Sequence, residues 1–221
     1  MTMPTRRTLL RKGGLTGFGT VAGIAALPSP PDAAMGEGTV EGAKAPAAVA
    51  PWTDGAITDE GEAPIARYHY RVDPKADGID GVAATAPINV VFVTEDGLER
   101  VMAVLEDAGW LRDIEEYTRY AWDREAEEYV RQQATAAETY YGANGRYHVR
   151  CWSFEGLVSM QAHEDTSVRP KHGIASYERG RRAIERLYAA AGWSVSPGVI
   201  DLQNEKEPDH DGLATVITEP R

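Results

Sequence analysis

Four side chains able to ligate a metal or move a proton, His148, His163, Asp165 and His172, fall within one 25-residue stretch of the chain. Around them, Arg146 to Ser153 and Leu157 to His163 read as two strands joined tightly at Phe154-Glu155-Gly156, the pattern of a β-hairpin. With the loop centred there, cross-strand partners carry numbers that sum to 311, so His148 faces His163, Arg150 faces Gln161 and Trp152 faces Ser159. Side chains alternate along a strand, which puts these six on one face and Val149, Cys151, Val158, Met160 and Ala162 on the other. Asp165 continues the polar face if the strand runs on, and His172 lies just ahead of the last helix, close enough to return to it.

Neutral imidazole and carboxylate are the ligands that a divalent transition metal accepts outside thiolate sites. His148, His163, Asp165 and His172 therefore form a candidate metal set with a position left for water. The same groups could do acid–base work without a metal. Arg150 offers a planar fork to a carboxylate or phosphate, beside Trp152 and Gln161 as further binding groups. A plainer reading is a solvated strand face on which His148 and His163 are only a cross-strand polar pair. The chain has no His-Glu-x-x-His, nucleophile elbow or phosphate loop, so no residue is assigned a catalytic role by motif.

Other features carry less chemistry. Glu207-Pro208-Asp209-His210-Asp211-Gly212 opens like a calcium loop, but its first position is Glu and its twelfth is Thr218 where a bidentate Glu is needed, so a solvated acidic loop is the simpler reading. Tyr68, Tyr70, Tyr117, Tyr120, Tyr140 and Tyr141 could line a ligand groove or serve as half-buried packing. Cys151 is the one cysteine, which excludes an intrachain disulfide, and its place on the apolar side of the hairpin marks it as an inert small hydrophobe.

The elements that must position the hairpin are legible on either side of it. Ile88 to Val93 is a β-branched run, the signature of a central strand buried on both faces. Thr94 can cap a helix whose Leu98, Val101, Met102 and Leu105 recur at helical spacing. Gly109 stops it in the left-handed conformation, and Trp110 falls where such a stop wants an apolar contact back to Leu105. Ser176 caps a second helix with Ile184, Leu187, Tyr188 and Ala191 on one side, and Ala191-Gly192-Trp193 echoes Ala108-Gly109-Trp110 at an offset of 83 residues. The echo is either an internal half-repeat or a coincidence of two short matches. Between them, Asp123 is expected to cap a peripheral helix to about Thr139 with Tyr129, Val130 and Ala137 as a weak apolar face. Val199 to Leu202 and Leu213 to Thr218 read as strands. The expected fold class is α+β: a single domain with a mixed, partly antiparallel sheet and two or three packed helices.

The ends and the charge place this domain. Thr5-Arg6-Arg7-Thr8-Leu9-Leu10-Arg11-Lys12 precedes a short, Gly-rich, weakly apolar run to Pro28, which reads as a twin-arginine export signal over residues 1–34, cleaved near Ala33-Ala34 or retained as an anchor. Residues 35–63 are Ala, Pro, Gly and acid, with Trp52 almost the only large apolar side chain. They cannot bury enough to offset their ordering entropy and read as a disordered acidic tether. The compact domain is expected over 64–221. The chain has 221 residues and a net charge of −11, of which residues 1–34 contribute +3, so the remainder is more acidic still. Such a surface repels nucleic-acid phosphates and anionic headgroups, which excludes nucleic acid as an expected partner. Lysine is scarce after the signal, with Lys44, Lys75, Lys171 and Lys206 alone, and dense carboxylates suit salty surroundings where ions screen their repulsion.

In this order the motifs resemble the C-terminal domain of the LssY-like family over about residues 86–193. The likeness is carried by Pro87-Ile88-Asn89-Val90-Val91-Phe92 leading through a helix to Ala108-Gly109-Trp110, by His148-Val149-Arg150-Cys151-Trp152, by Ala162-His163-Glu164-Asp165, and by His172 followed by Glu178-Arg179. The resemblance implies polar positions at His148, Arg150, Trp152, Asp165 and His172. It brings no established activity, and the phosphatase-like region of longer members is missing, so phosphatase activity is not implied.

Two functional readings follow. One is an exported domain whose His/Asp/Arg face takes a small anionic ligand, with metal- or histidine-assisted hydrolysis as its chemistry. The other is a non-enzymatic cell-envelope module that binds a surface protein or glycan. Both expect an extracellular or cell-surface location and no transmembrane domain apart from an uncleaved signal.

Overall fold

A computed structural model describes residues 65–72, 82–114, 117–123, 126, 128–139, 145–154, 157–166 and 173–221. The expected signal over 1–34 and tether over 35–63, with Tyr140, Tyr141, His172 and the Glu155-Gly156 tip of the hairpin, lie outside the described residues. All described residues belong to one compact unit.

Twelve strands and two helices alternate along the described chain. The strands are β1 (Tyr68–Val72), β2 (Val82–Pro87), β3 (Val90–Val93), β4 (Leu111–Arg112), β5 (Tyr120–Asp123), β6 (Glu128–Arg131), β7 (Ala134–Ala137), β8 (Tyr147–Phe154), β9 (Leu157–Asp165), β10 (Ile174–Ser176), β11 (Ser194–Asp201) and β12 (Leu213–Thr218). Helix α1 spans Gly97–Asp107 between β3 and β4, and α2 spans Tyr177–Ala190 between β10 and β11. The larger sheet runs β11-β12-β3-β9-β8-β7-β4, with β10 attached to β9. Only the β3–β12 pair in it is parallel. A smaller antiparallel sheet runs β2-β1-β5-β6. The fold is α+β with a mixed, mostly antiparallel sheet.

The apolar residues of the large sheet divide by parity between two layers. Val90, Phe92, Val149, Cys151, Val158, Met160 and Ala162 face the helices and pack with Leu105, Ile184 and Tyr188. On the other face, Val91, Trp152, Leu157, Ala214 and Val216 pack against Ala121 and Val130 of the small sheet. The β-branched run at 88–93 is accordingly central and buried on both sides, with Val90 and Val91 at 0 % exposure.

The helix stops behave alike. Gly109 and Gly192 both take φ +86°, and the next amide, Trp110 N or Trp193 N, donates to the carbonyl of Leu105 or Tyr188. Glycine suits this conformation because a side chain there meets the backbone. The elements that follow differ, a two-residue β4 in one case and an eight-residue β11 in the other. The Tyr188 hydroxyl donates to Val101 O at 2.7 Å and ties α2 to α1.

Two local expectations are corrected. Asp96, not Thr94, precedes α1; Thr94 Oγ1 instead accepts from Asp96 N and donates to Glu219 at the end of the chain. Residues 123–139 hold no helix among the described positions but the strands β6 and β7. Their Glu, Ala and Gln content favours helix, yet Tyr129 pairs across β5–β6 with Trp122, and all four residues of β7 are buried in the large sheet. Burial and cross-strand packing outweigh weak intrinsic propensity.

Candidate functional site

Strands β8 and β9 form the expected hairpin in the expected register. His148 pairs with His163, Arg150 with Gln161 and Trp152 with Ser159. One rung further from the turn, Asp165 N donates to Arg146 O at 2.8 Å, which adds Arg146 and Asp165 to the same face. The face therefore carries four successive rungs: an ion pair, two imidazoles, a guanidinium with an amide, and an indole with a hydroxyl.

This face is not solvated. His148, Gln161 and Trp152 are fully buried, and Arg146, Arg150, Ser159, His163 and Asp165 are each no more than 4 % exposed. The small sheet lies over it: the His69 ring of β1 stacks on Trp152 at 5.8 Å, and Trp152 Nε1 donates to Val130 O of β6 at 3.1 Å. On the opposite side, α2 presses against β9 at Gly180, where a Cβ would come within 2.4–2.7 Å of the His163 backbone. The hairpin is thus held from both faces.

Contacts inside the cluster are specific. Asp165 Oδ1 lies 2.9 Å from His163 Nε2, while Oδ2 accepts from Arg146 Nε at 2.7 Å and lies 2.6 Å from its Nη2. Burial works against ionising Asp165, but the His163 hydrogen bond and the charges of His163 and Arg146 outweigh it and hold its pKa below the usual carboxylate value. The Gln161 amide sits 3.0 Å from His163 Nδ1 by its nitrogen and 3.1 Å by its oxygen, so it can partner either tautomer. The rings of His148 and His163 meet edge to face at 5.0 Å. One potential ligand atom from each of His148, His163 and Asp165 lies within 4.8 Å of the others.

Of the sequence-predicted residues, the structure brings together His148, His163 and Asp165 and sets Arg150, Gln161 and Trp152 on adjoining rungs. His172 is outside the described residues. Two further members were missed. Arg146 obeys the same pairing sum of 311 with Asp165 and was open to discovery by that rule. His69 was not, because it arrives on a strand about 80 residues away; its Nδ1 is 2.6 Å from Thr85 Oγ1. Burial, with Arg150, Arg119 and His163 adding to it, keeps its pKa well below the usual imidazole value.

The remaining candidates resolve as structural. Cys151 is fully buried on the helix side and burial pushes its thiol pKa far up, so it is no nucleophile at neutral pH. In the loop that resembled a calcium site, Asp209 receives Tyr177 N and Ser176 Oγ at the start of α2, and Asp211 receives Leu213 N and Arg181. Those carboxylates are occupied by the protein itself. No helix among the described residues is long and apolar enough to cross a membrane. No family model, curated protein or solved structure matches this chain, and the likeness to the LssY-like family rests on the order of its motifs alone.

Proposed function

We propose that this chain is an exported domain built around a divalent transition-metal centre held by His148, His163 and Asp165, with Arg150 and Gln161 orienting a small anionic substrate for metal-assisted hydrolysis. The observation that carries the reading is the convergence of three ligating groups within 4.8 Å on a hairpin fixed from both sides. The groups behind the ligands suit that role. Arg146 holds the far oxygen of Asp165, and Gln161 can accept from Nδ1–H of His163, leaving Nε2 to ligate; such outer contacts orient metal ligands and set their tautomer. Bonds of about 2.0–2.1 Å around a tetrahedral ion separate neighbouring donors by about 3.3 Å, so the 2.9 Å contact between His163 and Asp165 has to open only slightly.

Charge decides what else must bind. Asp165 already binds Arg146, so a dication held by this one carboxylate needs further negative charge in a buried place. An anionic substrate supplies it, and the ion would polarise that substrate and acidify a bound water. The competing reading, an envelope module without catalysis, is favoured by the burial of the whole cluster, because a catalytic centre needs an entrance. Elemental analysis of the purified protein, with hydrolysis of phosphate and carboxylate esters assayed before and after chelation, separates the two. One metal per chain and chelator-sensitive turnover are expected; a metal-free protein without such turnover would leave only the envelope module.

A further inference from the structure

His69 joins the histidine cluster from the small sheet, and a β-bulge decides how its ring is held. Strand β1 pairs His69 with Ala86 and Tyr70 with Ala84 of β2, so Thr85 is the extra residue between them. A bulge of this kind re-aims a side chain that a regular ladder would turn to the other face. The Thr85 hydroxyl accordingly reaches back to His69, 2.6 Å from Nδ1 and 3.1 Å from the backbone oxygen. On its flat side the ring stacks on Trp152 of the hairpin, so it is held from both sheets at 2 % exposure.

The two Thr85 contacts fix a proton. A hydroxyl has a single hydrogen to give, and Thr85 gives it to the His69 carbonyl. Its oxygen therefore accepts from Nδ1, which carries the ring hydrogen, and Nε2 is left as a bare lone pair. Burial, then the charges of Arg150, Arg119 and His163, keep the ring neutral, and Gln161 is the side chain near enough to hydrogen-bond with it. Nε2 is buried and closes no hydrogen bond of ordinary geometry among the described residues. A buried acceptor of that kind favours the neighbour that turns an N–H towards it.

Gln161 is fully buried and is also the partner of His163, with its amide nitrogen 3.0 Å and its amide oxygen 3.1 Å from Nδ1. Those distances leave the two orientations of the amide equal. The lone pair of His69 separates them, because it attracts the amide N–H groups and repels the oxygen, which is thereby turned to His163. Nδ1 of His163 then donates to that oxygen, and its Nε2 faces Asp165 Oδ1 at 2.9 Å.

We propose that His69 is a positioning residue which, with Thr85, orients the Gln161 amide and through it holds a proton on His163 Nδ1. Such outer contacts set the tautomer of a ligating imidazole, and here they leave His163 Nε2 as the ligating atom. For that use the relay rests on the metal centre proposed above; its own hydrogen bonds need no ion.

The chain has five histidines, few enough for every ring nitrogen to be read in long-range proton–nitrogen correlation spectra of the metal-free, full-length protein labelled at histidine and assigned by single substitutions. In the wild type, protons are expected on Nδ1 of both His69 and His163. Thr85→Val keeps the side-chain shape and removes the acceptor, so His69 is expected to move its hydrogen to Nε2, Gln161 to turn over, and His163 Nδ1 to become bare. Thr85→Ser restores the hydroxyl and is expected to restore the wild-type ring pattern. In Co²⁺ titrations of the same proteins, Thr85→Val should weaken binding at least about tenfold and Thr85→Ser far less. A wild-type His69 protonated on Nε2, or His163 ring signals that are the same in wild type and Thr85→Val, would overturn the proposal. The expected ring pattern in a chain that binds no Co²⁺ would uphold the relay and remove the metal centre instead.

Discussion

Asp165 accepts from His163 with one oxygen and from Arg146 with the other, both at almost no exposure. Removing one partner of such a pair strands a buried charge, so Asp165→Asn is expected to cost roughly 3–5 kcal/mol in urea unfolding, while Arg146→Met combined with Asp165→Leu costs much less. Equal losses in the two would show that the pair is not desolvated. A second residue-scale expectation concerns acid. His210 is buried, donates from Nε2 to Asn204 Oδ1 at 2.8 Å, and has its pKa lowered to about 4, chiefly by burial, with Arg181 adding to the shift and Asp211 and Asp209 opposing it. A lowered imidazole pKa means that the unfolded chain binds the proton more readily, so this contribution is complete above about pH 6.5 and is lost as pH falls towards about 4. Asp165 adds a loss at lower pH, as it is protonated through its depressed folded pKa. Unfolding measured at pH 7 and pH 4.5 should show wild-type stability falling more than that of His210→Gln; parallel falls would place the acid sensitivity elsewhere.

At the scale of elements, Gly180 sets the distance between α2 and β9. Gly180→Ala must push the helix from the His163 backbone, and is expected to destabilise by about 1–3 kcal/mol and to weaken metal binding through displacement of His163, both read in one chelator-titrated melting series. The hairpin register was legible because a two-residue period and a tight loop leave one pairing that keeps Val149, Val158 and Met160 inside. Both helix ends were legible from Gly109 and Gly192. The cover over the polar face was not. It is assembled from strands that begin at Tyr68 and Tyr120, joined to the hairpin only by tertiary packing, and the Glu- and Ala-rich stretch after Asp123 carries a helical composition that the sheet overrides. Hence a solvated face stayed open beside the reading of a binding site, and His69 went unnoticed.

At the scale of the molecule, two sheets and a pair of helices enclose a polar seam beside a second apolar layer. The acidic exterior is expected to make stability rise with salt: the melting temperature should climb by a few degrees between about 0.1 and about 2 M potassium chloride as carboxylate repulsion is screened, and a flat or falling profile would contradict that reading of the surface. The seam itself is answered most directly by titrating the purified chain with Co²⁺ and following the visible absorption of the bound ion. A metal centre in the seam predicts saturation at one equivalent with the intense bands of a low-coordinate nitrogen–oxygen site, abolished in His148→Ala and His163→Ala proteins that remain folded. Absence of a saturable band, or the same band in both variants, would contradict it.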